Sequence, residues 1–387
     1  MQNLTHYLLI SALLLMPATL MARPADTSCP SGQTIQKSFD SGAAWDFCWQ
    51  ESNAEGIVLS NIYYMPPSGT RRRVLGEASL AQIQTDYDDG LSVQAMSSTQ
   101  GLGGSNLKTL NNNDCPQGQL HQANNRNLVC ETTRPRGYIY KHTSGERQGE
   151  LLELFSVSEV DNRTYVVRWQ FYDNGSILPA TGLTGSLPRT GSNSENGWPI
   201  TSNNTVALGF SDHYFWRMDF DIGANPANDI VEEITSTPSS DRLRKTRNVN
   251  ILGTEAGRSL NYENKRFWRV RDADTSNGSV GNISYELVIL NYAHQGFGNN
   301  NESWFNSDIF FTLYNSCERQ AVNNTLSGCN SSVDQYANNE NINSKDVVAW
   351  YRQTYHHLPR DEDNNRIATR WNTFELLPRD WSAQNPL

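Results

Sequence analysis

Residues 213–222 read HYFWRMDFDI, a short run dominated by aromatic and aliphatic side chains. Four runs of the same kind lie outward from it: TYVVRWQFY (164–172) and GIVLSNIYYM (56–65) upstream, ISYELVIL (283–290) and DIFFTLY (308–314) downstream. Turn-formers such as YDNGS (172–176) and TSNGSVGN (275–282) bound these runs. Aromatic and β-branched runs bounded by Asn, Gly, Asp and Ser are the pattern of antiparallel strands joined by hairpins. Helical periodicity is nearly absent; SLAQI (79–83) and DVVAWYRQ (346–353) are the two segments expected to form short turns or helices. No fixed-period repeat appears and no Pro/Gly linker divides the chain, so the expected fold is mainly β, one large antiparallel β-sandwich. The Asn-rich stretches at 111–113, 299–301 and 338–343 read as exposed loops.

Composition narrows the function classes. The 387 residues carry 31 Lys+Arg against 41 Asp+Glu, a formal net charge of −10, with no basic run. Phosphate binding needs clustered cations, so nucleic acid is excluded as an expected partner. Charged residues make up only 19%, the polar balance coming from Asn, Ser, Thr and Gly, which argues against a helical bundle. Ten Trp, 16 Tyr and 13 Phe supply ample core material.

Residues 7–21 (YLLISALLLMPATLM) form an apolar run at the extreme N-terminus with no Lys or Arg before Arg23. The run is short for a bilayer span and reads as a signal peptide over 1–22, with an uncleaved anchor as the alternative. A secreted or periplasmic chain is expected, with no membrane span after signal cleavage, an extension over 23–44 and the main domain over 45–387. Six cysteines (29, 48, 115, 130, 317 and 329) fall into three sequence-local pairs. An exported chain favours disulfides, although six cysteines allow 15 connectivities.

Residues 346–386 run DVVAWYRQTYHHLPRDEDNNRIATRWNTFELLPRDWSAQNP, which resembles the end of the copper amine oxidase catalytic domain. Blocks at 54–83 (EGIVLSNIYY…RRRVLGEASLAQI), 169–185 (WQFYDNGSI…GLTG) and 213–233 onward (HYFWRMDFDI…NDIVEE, then GTEAGR and KRFWRV) resemble further parts of that domain in the same order. Cys115 and Cys130 look like the family's internal disulfide. The resemblance spans about residues 45–386 and implies that family's large sandwich and a homodimer, without its smaller N-terminal domains.

The resemblance also implies a chemistry: oxidation of primary amines by a quinone made from a Tyr, with copper on three His and an Asp as base. A quinone is the electron sink, imidazole suits copper(II), and a placed carboxylate moves the substrate proton. The cofactor motif falls on Glu159–Tyr165, where Asn162 and Tyr165 remain but Arg163 stands at the precursor position. A guanidinium cannot become a quinone and carries a permanent charge, so topaquinone is not expected. Asn261-Tyr262-Glu263 lacks the surrounding pattern and reads as an ordinary strand or turn. His357 matches the third copper ligand, with His356 incidental. The H-x-H pair falls on Phe210 and Asp212 without a gap, or on Ser211 and His213 with a one-residue slip. The residual set His213, His357 and Asp212 leaves room for copper or zinc, against a structural His pair as the plain reading. Anchoring on Gly101-Leu102-Gly103 puts Met96 where the base Asp belongs. Tyr87 matches the family's quinone-bonding Tyr, and Asp88 and Asp89 beside it read as a solvated turn. Asp219 and Asp346, with carbonyls of Phe220 and Val347, match a peripheral site where hard oxygens hold calcium; the alternative is that both Asp cap surface turns.

Three readings follow, the last of them an adhesive or carbohydrate-binding β-sandwich suggested by exposed Asn and abundant Trp. The first is an exported member of the fold without oxidase activity, acting as a binding, structural or assembly protein with unnamed ligand. The second is a functional amine oxidase or copper/quinone redox protein with a displaced cofactor.

Overall fold

The computed structural model describes residues 29–383, apart from 91–92, 97–99, 188–189, 192–193, 201–204, 292–293, 295–301 and 365. The signal-peptide reading over 1–22 lies outside them, as does the Asn-rich stretch at 299–301.

Five expected strands form where the runs place them, at Gly56–Met65, Arg163–Tyr172, Phe210–Gly223, Asn282–Val288 and Ile309–Leu313. The YDNGS segment turns tightly: Tyr172 N donates to Ser176 O, with Gly175 at φ +92° where a side chain would be strained. Two expectations fail. Residues 79–83 lie inside the 16-residue strand Arg72–Tyr87, and 347–353 inside the strand Val347–His357. Both flank Phe210–Gly223 at the centre of a sheet, where pairing on that side overrides the helix preference of their Ala, Leu, Gln and Arg residues. The 111–113 and 338–343 stretches are loops, largely exposed, with Ile342 buried.

Two large antiparallel sheets carry the chain. A nine-stranded sheet runs Thr34–Ser38, Ala44–Ser52, Gly56–Met65, Arg72–Tyr87, Phe210–Gly223, Val347–His357, Ile309–Leu313, Ala256–Arg258, with Val93–Ala95 beside Arg72–Tyr87. An 11-stranded sheet includes Asp229–Pro238, Phe267–Ser276, Asn282–Val288, Ile177–Gly185, Arg163–Tyr172 and Gly145–Val160. A three-stranded sheet, made from strands between 190 and 208, sits apart.

The sheets face each other across one aromatic core. Trp216 of the first meets Trp169 of the second edge-on at 5.2 Å, Phe47 stacks on Phe171 at 4.6 Å, and Trp268 lies 6.3 Å from Phe311. Each such side chain contributes roughly 1.5–3 kcal/mol by leaving water. A second apolar cluster on the outer face of the first sheet gathers Phe215, Trp304, Phe310, Tyr336, Val348 and Trp350. Disulfides join Cys29–Cys48, Cys115–Cys130 and Cys317–Cys329, the three local pairs.

Candidate functional site: a buried ion pair between the sheets

Arg163 opens its strand straight after a two-residue turn in which Asp161 holds φ +53° and Asn162 is exposed. That turn aims the arginine inward; it is 3% exposed. Its Nη1 donates to Asp212 Oδ1 (2.8 Å) and to Thr85 Oγ1 (2.8 Å). Thr85 in turn donates to Asp212 Oδ1 at 2.6 Å, while the hydroxyls of Tyr165 and Tyr214 donate to Oδ2 at 3.2 and 3.4 Å. Asp212 is fully buried and takes donors from three strands in two sheets. Phe210 adds a ring 5.5 Å from the guanidinium, and Tyr87, half-buried, lies 6.3 Å from Phe210.

Burial works against the Arg163 cation. The Tyr165 phenol, the Asp212 carboxylate and the phenols of Tyr87 and Tyr214 outweigh it and hold the guanidinium charged well above its ordinary range. Burial pushes Tyr165 and Tyr214 far above the usual phenol range. The interior here therefore contains a matched salt bridge and two phenols that stay protonated.

The copper-like set is not assembled. Phe210 pairs in register with His357 and their rings lie 5.2 Å apart, so Phe210, Asp212 and His357 share the inner face. His213, one residue on, points to the outer face among Trp304, Phe305 and Arg352. There its Nε2 donates to Asp86 (3.3 Å) and its Nδ1 accepts from Thr354 (2.9 Å), the Arg352 donor beside Nδ1 setting the tautomer. Burial lowers its pKa. The ungapped alignment is thus the one the backbone adopts, and His213 is a satisfied structural residue. His357 is the single imidazole left on the inner face beside Asp212; burial lowers its pKa against the pull of Asp363, whose Oδ2 lies 3.1 Å away but poorly aligned for a hydrogen bond. A carboxylate committed to Arg163, a phenyl ring and one imidazole do not suit copper(II).

Met96 is buried in the main core, its amide bonded to Ile83 O at 3.1 Å. The Gly101-Leu102-Gly103 anchor is a packing requirement: a Cβ on Gly103 would stand 1.8 Å from Ser52 O. Tyr262 is 70% exposed in a turn. Asp88 is not merely solvated, since its Oδ2 lies 3.0 Å from His356 Nε2.

A second cluster lies at the other end of the central strands. Asp219, Asp221 and Asp346 bring carboxylate oxygens within 4.8 Å of one another, the one such trio among the described residues. Phe220 and Val347 are register partners between them. Asp221 extends the expected pair; the D-x-D spacing at 219–221 places both on one strand face and was the signal to use. Asp229 is drawn alongside by its main-chain pairing with Lys345. Both its carboxylate oxygens are buried without a well-formed hydrogen bond, and burial, with Asp221 and Asp272, pushes its pKa well up. An all-oxygen set of three clustered carboxylates, one of which (Asp221) also pairs with Arg73 at 2.9 Å, fits a hard divalent ion such as calcium.

Comparisons with known proteins agree with this architecture. Residues 41–387 match the family described as copper amine oxidase, enzyme domain. The chain is 24% identical to the primary amine oxidase of Arthrobacter sp. (strain P1), covering 94% of this chain and 62% of that one. It is 24% identical to the primary amine oxidase of Pisum sativum, covering 90% and 59%. Among solved structures, the copper-containing benzylamine oxidase of Hansenula polymorpha superposes with TM-score 0.75 at 17% identity, over 95% of this chain and 64% of that one. The Aspergillus nidulans amine oxidase gives TM-score 0.75 at 18% identity, over 96% and 56%. The chain spans about three-fifths of the length of these relatives. With the model match running over nearly its whole length, the chain belongs to the copper amine oxidase family through that family's enzyme domain.

Proposed function

We propose that this chain is an exported, catalytically silent member of its family that acts as a binding, structural or assembly protein, as a homodimer. The observation that carries the reading is the Arg163–Asp212 pair. It puts a cation where a phenol must stand and a carboxylate where an imidazole must stand, and the two neutralise each other inside the core. Loss of precursor, ligand pair and base removes three separate chemical roles. Three disulfides support export. Calcium held by Asp219, Asp221 and Asp346 would supply charge neutralisation where the two central strands meet, a structural role.

The test is protein produced with excess copper. The expected result is no visible quinone band, no coloured adduct with phenylhydrazine, copper well below one per chain and no peroxide from methylamine or benzylamine. A coloured adduct together with amine-dependent peroxide would overturn the reading in favour of an oxidase with a displaced cofactor.

A further inference from the structure

Five arginines, Arg71, Arg72, Arg73, Arg269 and Arg271, border three clefts at the edge of the sandwich, far in sequence from the Arg163–Asp212 pair. The clefts share walls. Asn277 and Ser382 line both the first (about 710 Å³) and the second (about 320 Å³), and Thr70 and Arg72 line both the second and the third. Together they form one groove between the 66–70 turn, the 273–282 loop and residues 380–383.

Four of the five cations are already matched. Arg71 pairs with Asp46, Arg73 with Asp221 at 2.9 Å, and Arg269 and Arg271 both reach Glu232 at 2.6 Å. Arg72 differs. It is half-buried, donates one hydrogen bond to Trp381 O at 3.3 Å, and has no carboxylate partner among the described residues. A guanidinium has five N–H donors in a planar fork suited to a carboxylate or sulfate, and Arg72 lines two of the three clefts. The walls around it carry hydroxyls and amides, from Ser68, Thr70, Asn277 and Ser382, beside the rings of Pro66 and Trp381, and the carboxylate of Asp380 in the first cleft is held by Arg269 at 2.9 Å. The net charge of −10 repels long polyanions and anionic surfaces, whereas a short ligand in the groove feels chiefly the charges within a Debye length, about 8–10 Å.

We propose that this groove binds an acidic oligosaccharide, with its carboxylate or sulfate on Arg72 and its hydroxyls on the polar walls. The proposal is independent of whether the old catalytic centre is silent.

The experiment titrates the full chain by calorimetry with tetragalacturonate, a sulfated tetrasaccharide and the neutral cellotetraose. Binding of either acidic sugar but not the neutral one, weakening as salt rises, is the expected result, and the tighter of the two assigns the anion. Arg72→Gln weakens it about tenfold or more, since a lost charged hydrogen bond is worth that much, and Arg72→Lys keeps part of it. Asn277→Asp preserves the acceptor for the Ser279 amide (2.9 Å) while adding a repelling charge, and also weakens binding. Unchanged thermal unfolding of the variants shows that folding is intact. Equal binding of the neutral sugar, no binding of either acidic sugar, or full binding by a folded Arg72→Gln chain each overturns the proposal.

Discussion

Asp212 accepts from Arg163, Thr85, Tyr165 and Tyr214, so a single carboxylate collects donors that would otherwise be stranded in a dry interior. A buried charge that loses its partner is costly, whereas replacing the whole pair by apolar groups is often neutral. Arg163→Leu alone is therefore expected to lower unfolding stability by about 3–5 kcal/mol. The Arg163→Leu/Asp212→Leu double variant should recover most of that in urea denaturation. A double variant as unstable as the single would show that the pair matters for shape rather than charge. Elsewhere, burial, with Glu255 adding to it, pushes the Glu318 carboxyl up to about 8 from its ordinary 4.5. Between those values the unfolded chain gives up this proton while the folded chain keeps it, so stability falls as pH rises through the window. Glu318→Gln should flatten that part of the stability profile, measured by thermal unfolding at stepped pH.

Arg163 could be read from the sequence because it stands alone at a motif position; its partner could not. Choosing Asp212 over His213 required the register between Phe210–Gly223 and Val347–His357, and a one-residue slip moves a side chain to the opposite face of a sheet. The strand at 164–172 was legible from its alternation, and those at 56–65 and 213–222, although buried on both faces, from their aromatic and β-branched residues. The segments at 79–83 and 346–353 were not, because their Ala, Leu, Gln and Arg suit a helix when read locally, and only pairing on either side of Phe210–Gly223 makes them strands. At the far end of these central strands, Asp219, Asp221 and Asp346 converge only once the strands are paired. Calcium is expected to raise the thermal midpoint and a chelator to lower it, by preferential binding to the folded state. Asp219→Asn should abolish most of that response. A midpoint indifferent to both reagents would mean that the carboxylates are satisfied without an ion.

For the whole molecule, two long hairpins reach beyond the core. One joins Arg126–His142 to Gly145–Val160 and exposes Tyr138 and Tyr140; the other joins Asp229–Pro238 to Lys245–Leu252 and exposes Leu243, Val249 and Ile251. Tyr138, Tyr140 and Leu243 lie near the tips, and Val249 and Ile251 lie along the edge strand Lys245–Leu252, the kind of exposed apolar side chains an association surface uses. Sedimentation velocity should show a dimer, and Val249→Glu/Ile251→Glu should shift it toward monomer without changing the far-ultraviolet spectrum. A native monomer at micromolar concentration would refute that role for the hairpins.

The clasp on Asp212 also has a kinetic consequence. Arg163 lies 49 residues away in sequence and Thr85 lies 127 away, on strands that must first pair and then dock face to face. Contacts of such separation close late on the route to the native state, after most loop entropy has been lost. Severing them should leave the refolding rate nearly untouched and hasten escape from the native basin. Stopped-flow refolding and unfolding of Arg163→Leu check this: the expected change is in the unfolding limb, and slowed refolding would refute it.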